Sequence, residues 1–278
     1  NQGTLAQPWR TLQHAANGRV PGDTVIALPG TYVGFNVGVS GTGAAPITFR
    51  GTRGANGEWL SVVDTQAATF NGQSHHARIN MDTVSWIVIE DFEVTGSNDQ
   101  RVSKAGIRAV APAGSTTGNI TVRRCHVHHN GEWGVFTGHV NAMLVEQNLI
   151  HEQWDEHGVY LSNSGDNHIV RENVIWGNSS NGLHVNSDAS QGGDGVMTNV
   201  LVERNTLYSN GGGSMYINGS GVLVTSAGGG SAVNFDGVQG SVIRNNLMYD
   251  NRASGISLYR IDGLLGASNN LVVNNTII

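Results

Sequence analysis

The strongest chemical cluster in the sequence lies in HEQWDEHGVYLSNSGDNH, residues 151–168. Asp155, Glu156 and His157 follow one another in a short loop, and Tyr160 lies on the strand predicted directly after it. Histidine titrates near neutral pH and can act as a general base, and an adjacent tyrosine hydroxyl can act as an acid. The segment therefore predicts an acid/base site that includes His157 and Tyr160.

The composition limits the classes of protein to which this site can belong. The chain has 278 residues, 39 glycines, 13% charged residues and a net charge of −6, which indicates many tight turns. Lysine and arginine together number 15, and Lys104 is the single lysine, so a polybasic nucleic-acid binder is excluded. No apolar run approaches the roughly 18 residues that cross a bilayer. No linker divides residues 1–278, so we expect one domain. The sequence stops within a repeat at NNTII, and we expect the natural protein to continue beyond it.

A repeated phrase indicates the architecture that carries the site. Paired aliphatic residues, polar residues, an Asn and further apolar residues recur in IVRENVIW, LVERNTLY and VIRNNLMY. The shortest step of the repeat, from residue 125 to residue 148, is 23 residues and suits a coil of three short strands. We expect the Asn residues to stack at one bend as a ladder, and Cys125 to be a small buried apolar residue there rather than a nucleophile. The aligned positions are Phe92, Cys125, Asn148, Asn173, Asn205, Asn246 and Asn275.

A further strand in each coil follows a glycine in GVFTG, GVYLS, GLHVN and GISLY. Alternate residues of these segments point inward and outward. Three such strands in each coil, each stacked on its equivalent in the next coil, predict an all-β protein that is a three-strand parallel β-helix. Helical periodicity occurs only in PWRTLQHAANG, which we expect to form a short N-terminal capping helix. The outward positions are Phe136, Tyr160, His184 and Ser257.

The segments GTLAQPWRTLQHAA and PGDTVIALPGTYVG, followed by the NNL, ENV and RNT repeats, resemble the right-handed parallel β-helix superfamily of secreted polysaccharide-active proteins. That superfamily includes pectate lyases, alginate lyases, chondroitinase B, polygalacturonases and mannuronan epimerases. The resemblance implies an Asn ladder between the second and third strands and a substrate groove on the outer face of the first strand. It also implies a polysaccharide partner and a secreted, periplasmic or cell-surface location.

The resemblance favours a lyase that cleaves an acidic, uronic acid-containing polysaccharide by β-elimination. Such a lyase needs a base for the C5 proton, an acid for the leaving oxygen and a group that neutralises the uronate. We assign the first two roles to His157, Tyr160 and His184, and the third to Arg260 or a calcium ion. Arg101, Lys104 and Arg108 are further cationic candidates. The residues expected to bind substrate are Trp133, Phe136, Asp155, Glu156, Asn186, Asn234 and Asp236.

Other functions stay open at this point. The DEH triplet at 155–157 resembles the Asp-Pro-His of mannuronan epimerases, with Glu156 in place of Pro. The NFDG segment at 234–237 resembles the Asn-Thr-Asp-Gly of polygalacturonases, without the paired aspartates and Gly-His-Gly that should follow. A glycoside hydrolase, an epimerase and a non-catalytic carbohydrate-binding β-helix are therefore alternatives, in the last of which His157, Tyr160 and His184 only cover the sheet.

Two further segments can bind metal ions. Asp188 and the GGDG segment at 192–195 offer oxygen ligands for calcium, although such segments are also typical of plain turns. On the third strand, His128 aligns with His151 in a column that continues through Trp176 and two tyrosines. This column is suited to a transition-metal site, a sugar platform or packing under loops. The metal ligands and the oligomeric state stay open.

Overall fold

The chain forms a parallel β-helix, as the repeat predicts. A computed structural model describes residues 2–65, 77–96, 105–217 and 220–278. Within these residues each full coil contributes one strand to each of three parallel sheets, and each strand pairs with its equivalents in the neighbouring coils. Strands are numbered in chain order. None of the helices in the described ranges has the length and apolar character needed to cross a bilayer.

Sheet 1 holds the first strand of each coil: β3 (Phe35–Asn36), β6 (Ala77–Asn80), β9 (Ala105–Val110), β12 (Trp133–Gly138), β15 (Val159–Ser162), β18 (Leu183–Asn186), β23 (Val233–Asp236) and β26 (Ile256–Tyr259). Sheet 2 holds β1 (Thr24–Ile26), β4 (Ile47–Arg50), β7 (Ile87–Glu90), β10 (Gly118–Arg123), β13 (Asn141–Glu146), β16 (Ile169–Arg171), β19 (Leu201–Glu203), β24 (Val242–Arg244) and β27 (Leu271–Val273). Sheet 3 holds β2 (Gly30–Val33), β5 (Ser61–Thr65), β8 (Glu93–Thr95), β11 (His126–His128), β14 (Leu149–His151), β17 (Val174–Trp176), β20 (Thr206–Tyr208), β25 (Leu247–Tyr249) and β28 (Thr276–Ile277).

Two insertions and one cap complete the described chain. An antiparallel hairpin, β21 (Met215–Ile217) and β22 (Leu223–Thr225), is inserted between β20 and β23. A short 3-10 helix, Ala189–Gln191, lies in the loop after β18. The helix α1 (Leu12–Ala16) begins after Thr11, whose hydroxyl accepts from the His14 N–H, and the Gln13 side chain hydrogen-bonds the backbone of Asn36 in the first strand of sheet 1. The predicted capping helix is thus confirmed.

The predicted Asn column forms a ladder at the bend between sheets 2 and 3. The side-chain oxygen of Asn173, for example, accepts from the backbone N–H of Asn148 at 3.0 Å, and its amide donates to the Val145 carbonyl at 2.9 Å. The residue before each ladder position has a positive φ, as at Glu172 (φ 57), which makes the sharp corner and leaves a bend amide that the neighbouring Asn satisfies. Cys125 continues the ladder and is fully buried, and burial raises the pKa of its thiol to about 12.

A second ladder, which the sequence analysis did not assign, lies five residues further along each coil at the bend between sheets 3 and 1. Its side chains hydrogen-bond in the same way, with the Asn130 N–H donating to Gln153 Oε1 at 2.9 Å and the Gln153 N–H donating to Asn178 Oδ1 at 3.2 Å. Two ladders therefore hold both ends of five sheet 3 strands, β11, β14, β17, β20 and β25. The members are Asn130, Gln153, Asn178, Asn210 and Asn251.

From β4 to β24, the last residues of the sheet 2 strands form a column of alternating charge. Glu90 is fully buried and accepts hydrogen bonds from Arg50, Arg123 and Arg124. Further along, carboxylates and guanidinium groups alternate in register with contacts of 2.6–2.9 Å. Many of the arginine side chains of this protein therefore form ion pairs with its own carboxylates. The column is Arg50, Glu90, Arg123, Glu146, Arg171, Glu203 and Arg244.

Candidate active site

The outer face of sheet 1 brings together the three residues to which we assigned proton transfer. His157 lies in the corner before β15, Tyr160 points outward from β15, and His184 points outward from β18, the next strand of the sheet. His157 Nε2 lies 2.9 Å from His184 Nδ1, and the Tyr160 and His184 rings stack with their centroids 5.0 Å apart. We call these three residues the acid/base cluster.

A backbone hydrogen bond sets the tautomers of the two histidines. The Asn181 N–H donates to His157 Nδ1 at 3.1 Å, so neutral His157 carries its hydrogen on Nε2. That hydrogen points at His184 Nδ1, and neutral His184 therefore carries its own hydrogen on Nε2. His184 Nε2 is buried and has no hydrogen-bond partner within the described part of the chain. The chain of hydrogen bonds thus ends at an unpaired donor on the outer face of sheet 1.

Burial keeps the acid/base cluster uncharged at neutral pH. Burial and the neighbouring His184 lower the pKa of His157 well below its ordinary 6.5, and burial lowers the pKa of His184 to about 4. Burial raises the pKa of Tyr160 to about 12 despite the hydrogen bond from Asn186, whose Nδ2 lies 3.1 Å from the phenolic oxygen. Both histidines can therefore accept or pass a proton in their neutral forms.

An aromatic row continues the cluster along sheet 1. Trp133 stacks on Phe136 with a centroid distance of 4.3 Å and an interplanar angle of 17°. Phe136 in turn lies against Tyr160 at 5.5 Å, directly alongside it in the strand pairing. Flat aromatic side chains beside polar groups are typical of surfaces that bind sugar rings.

On β12, β18 and β23 four buried polar atoms have no hydrogen-bond partner among the described residues. They belong to residues that we expected to bind substrate or to transfer protons. An unpaired buried polar group costs about 1–3 kcal/mol, so such a group needs an explanation. Sugar hydroxyls can donate to the acceptors and accept from the donors in this set. The atoms are Trp133 Nε1, His184 Nε2, Asn186 Oδ1 and Asn234 Oδ1.

A cavity of about 420 Å³ adjoins the acid/base cluster through Glu156. Its walls include Asp155, Glu156, Ser179 and Ser214, and residues 226–229 beside the hairpin close it on one side. Burial, with repulsion from Asp155 and Glu132, raises the pKa of Glu156 to about 7. Glu156 Oε2 also lies 3.3 Å from His157 Nε2, so a carboxyl group that titrates near neutral pH contacts the histidine pair.

Two predicted residues lie away from this centre. Arg260 is exposed after β26, which lies two strands beyond β18, and its guanidinium donates to the Leu264 carbonyl at 3.3 Å. Asp236 is buried beneath the turn that follows β26, where its carboxylate accepts backbone N–H groups of residues 261, 262 and 263. In the structure, the Asp236 carboxylate therefore stabilises the turn after β26.

The cationic and calcium candidates have partners of their own or lie outside the described residues. Arg108 points outward beside Phe136 and forms an ion pair with Asp82. Asp188 accepts from the Ser190 N–H at 2.8 Å, and Asp194 accepts from the Val196 N–H at 3.0 Å, as turn residues commonly do. Arg101 and Lys104 lie outside the described residues.

Sequence reasoning missed Asn181, which holds the cluster in place. Its backbone fixes the His157 tautomer, and its side-chain oxygen accepts from the Ser231 N–H at 2.8 Å and from Asn234 Nδ2 at 3.3 Å. The available signal was positional, because Asn181 precedes the glycine of GLHVN as His157 precedes the glycine of GVYLS. Residues at equivalent corners of adjacent coils are neighbours in this fold.

The comparisons with known proteins agree with this architecture. A sequence profile described as the right handed beta helix region matches residues 66–226, which is more than half of the chain. The chain therefore belongs to the right-handed β-helix family. A search of curated proteins found no match.

Several solved structures share the fold at low sequence identity. A GH136 lacto-N-biosidase from Eubacterium ramulus aligns with all of this chain at a TM-score of 0.63 and 14% identity, and this chain spans 54% of that protein. Pectate lyase Pel9A aligns with all of this chain and 76% of its own length, at a TM-score of 0.52 and 15% identity. An alginate lyase from Paenibacillus sp. str. FPU-7 aligns with 95% of this chain and 72% of its own length, at a TM-score of 0.53 and 17% identity.

Proposed function

We propose that the protein is a polysaccharide-active enzyme that cleaves a uronic acid-containing polysaccharide by β-elimination, with its substrate on the outer face of sheet 1. The observation that carries this proposal is the contact of His157, Tyr160 and His184, which ends in the unpaired His184 Nε2–H beside an aromatic row. The similarity to a pectate lyase and an alginate lyase supports it at the level of the fold. A secreted or periplasmic location is part of the same proposal.

The tautomers suggest how the two proton transfers are divided. His184 begins with its hydrogen on Nε2, so we assign it the donation to the leaving glycosidic oxygen. His157 can then pass its Nε2 hydrogen to His184 Nδ1, and Glu156, at 3.3 Å, can reprotonate His157. Tyr160, in its ionised form, takes the C5 proton. The C5–H bond and the C4–O bond break, a C4–C5 double bond forms, and the leaving oxygen receives a proton.

This division predicts the pH dependence of turnover. Burial raises the pKa of Tyr160 to about 12, so the ionised form grows with pH throughout the neutral and alkaline range. Glu156, whose pKa is raised to about 7, has to be protonated to resupply His157, so we expect the rate to rise with pH up to about pH 7 and to level off above it. A rate that falls between pH 7 and pH 9 would contradict the assignment of Tyr160 as the base, because only the ionisation of Tyr160 offsets the loss of the Glu156 proton.

Neutralisation of the uronate belongs to the same proposal. Adjacent strands lie about 4.8 Å apart, so Arg260, two strands from His184, is displaced by about 10 Å along the sheet. Arg260 is therefore suited to a carboxylate on a neighbouring sugar unit. A calcium ion bound with the substrate would serve the reacting unit, and activity measured with and without a chelator tests that role.

A second candidate function is glycoside hydrolysis, which the cavity beside Glu156 favours. A carboxyl group with a pKa raised to about 7 can act as a general acid, and Asp155 provides a second carboxylate on the same cavity wall. A GH136 lacto-N-biosidase shares the fold.

Product analysis separates these functions. The protein is incubated with alginate, pectate and glucuronan, while ultraviolet absorbance of the unsaturated uronide and reducing ends are both measured. A lyase raises both signals together, and a hydrolase raises reducing ends alone. Epimerisation would change the uronate signals in the NMR spectrum without cleavage. Binding without any product would refute the enzymatic proposal.

A further inference from the structure

Three histidines form a cluster on the outer face of sheet 3. His126 and His128 are alternate residues of β11 and point to the same side, and His151 lies directly beside His128 on β14. One ring nitrogen from each can be chosen so that all three lie within 4.8 Å of one another. His126 Nε2 and His151 Nε2 are 2.7 Å apart. We call His126, His128 and His151 the histidine cluster.

A carboxylate lies within hydrogen-bond distance of a ring nitrogen in two of the three histidines. Glu152 Oε2 lies 2.7 Å from His151 Nδ1, and Glu93 Oε1 lies 3.2 Å from His128 Nε2. A carboxylate that accepts the Nδ1–H of His151 leaves the Nε2 lone pair free to bind a metal, and such partners orient metal-binding histidines in general. Two nearby carboxylates also balance the charge of a divalent cation.

Aromatic side chains pack against the histidine cluster on both sides. Trp59 packs on the His126 ring at 4.9 Å, and its indole N–H donates to the Arg124 carbonyl at 2.7 Å, which fixes the indole. On the other side Trp176 stacks on His151 at 4.0 Å with an interplanar angle of 15°. The rings are therefore held in place before any ligand binds, and water has limited access to them.

We propose that the histidine cluster binds a single transition-metal dication of the Zn²⁺ class. Imidazole nitrogen suits Zn²⁺, Cu²⁺ and Ni²⁺, and three protein ligands leave a fourth position for water or another ligand. Zn–N distances of about 2.0–2.1 Å place tetrahedral ligand nitrogens about 3.3 Å apart, so His126 and His151 need to separate by about 0.6 Å. This site lies on sheet 3 and does not depend on the proposed polysaccharide chemistry of sheet 1.

A second group of ligands shares His151 and defines the competing arrangement. His129, His151 and Glu152 also offer atoms within 4.8 Å of one another. The Glu152 side chain is 51% exposed, and the His129 side chain is 34% exposed. We favour the histidine cluster because its side chains are more buried and all of its ligands are imidazoles.

Zinc binding by the whole chain tests the proposal. The protein is stripped with a chelator, dialysed and titrated with ZnCl₂ by calorimetry, and the bound metal is counted by elemental analysis. We expect one Zn²⁺ per chain, and His126→Ala and His128→Ala should each weaken binding at least about 100-fold, since even the loss of an orienting partner typically weakens it 10- to 100-fold. His14→Ala, which removes an exposed histidine of α1, is the matched control and should bind zinc like the parent.

Two measurements guard this test against unfolded variants. The metal-free variants should unfold at the parent's temperature to within a few degrees, and Co²⁺ should give the parent the visible absorption of a tetrahedral site. Three results would overturn the proposal: no saturable binding by the parent, unchanged binding by both His126→Ala and His128→Ala, or loss of binding in His129→Ala alone.

Discussion

Removal of one internal rung of the first ladder tests whether that ladder stabilises the coil. Asn173 makes four side-chain hydrogen bonds: its oxygen accepts from the N–H and the side-chain amide of Asn148, and its amide donates to Val145 O and Asn205 Oδ1. Asn173→Leu keeps the branching and the number of side-chain heavy atoms but leaves the buried Asn148 N–H without its acceptor. That loss costs about 1–3 kcal/mol, and the lost bond to Val145 adds about 1 kcal/mol. We therefore expect the free energy of unfolding to fall by about 2–4 kcal/mol.

Chemical denaturation followed by circular dichroism measures this loss, with Asn275→Leu as the matched control. Asn275 occupies the last described rung of the same ladder and is half-buried, so water can replace part of what its side chain provides. The control should lose less than about 1 kcal/mol. A loss below 1 kcal/mol for Asn173→Leu, or an equal loss in both variants, would refute the reasoning.

Three further predictions follow from buried groups. Glu90→Gln should lower the unfolding free energy by about 3 kcal/mol, since it removes the buried charge that faces several arginines, and denaturation at pH 7 measures this. Burial lowers the pKa of His168 and His184 to about 4, so the unfolded chain binds protons first and stability should fall from about pH 6.5 to pH 4. At pH 5 each of these histidines should cost about 2 kcal/mol, and His168→Gln should flatten the pH dependence of unfolding; an unchanged slope would contradict this. Cys125 is fully buried, so it should resist thiol reagents until the protein unfolds, and rapid labelling of the native protein would show that the coil register is wrong.

The coil architecture could be predicted because each coil of the β-helix repeats a local sequence pattern. The aliphatic pairs, the Asn after them and the outward positions of GVYLS and GLHVN gave the correct register, since Tyr160 and His184 are paired in sheet 1. The second ladder was not predicted because Gln153 replaces Asn at one of its positions, so that the aligned residues are not all of one type. The column of alternating charge was not predicted because Arg and Glu alternate from coil to coil, so that no single residue type recurs.

The contact of His157 with His184 could be predicted, but its protonation could not. The sequence places both residues on adjacent coils, whereas the tautomers depend on the backbone N–H of Asn181, whose direction requires the folded corner. The surroundings of Asp236 were equally inaccessible, because the turn that covers it belongs to the next coil. Local patterns thus locate side chains along the coil, and contacts between coils determine their chemistry.

The most direct test of the proposed active site is the rate of unsaturated uronide formation by Tyr160→Phe and His184→Ala. Each variant loses one proton-transfer group, so we predict a fall in kcat of about 10²- to 10⁴-fold at a temperature where thermal unfolding shows the variant to be folded. Tyr208→Phe, which removes a tyrosine hydroxyl from sheet 3, is the matched control and should retain the parent rate. Parent-like rates in both Tyr160→Phe and His184→Ala would contradict the assignment.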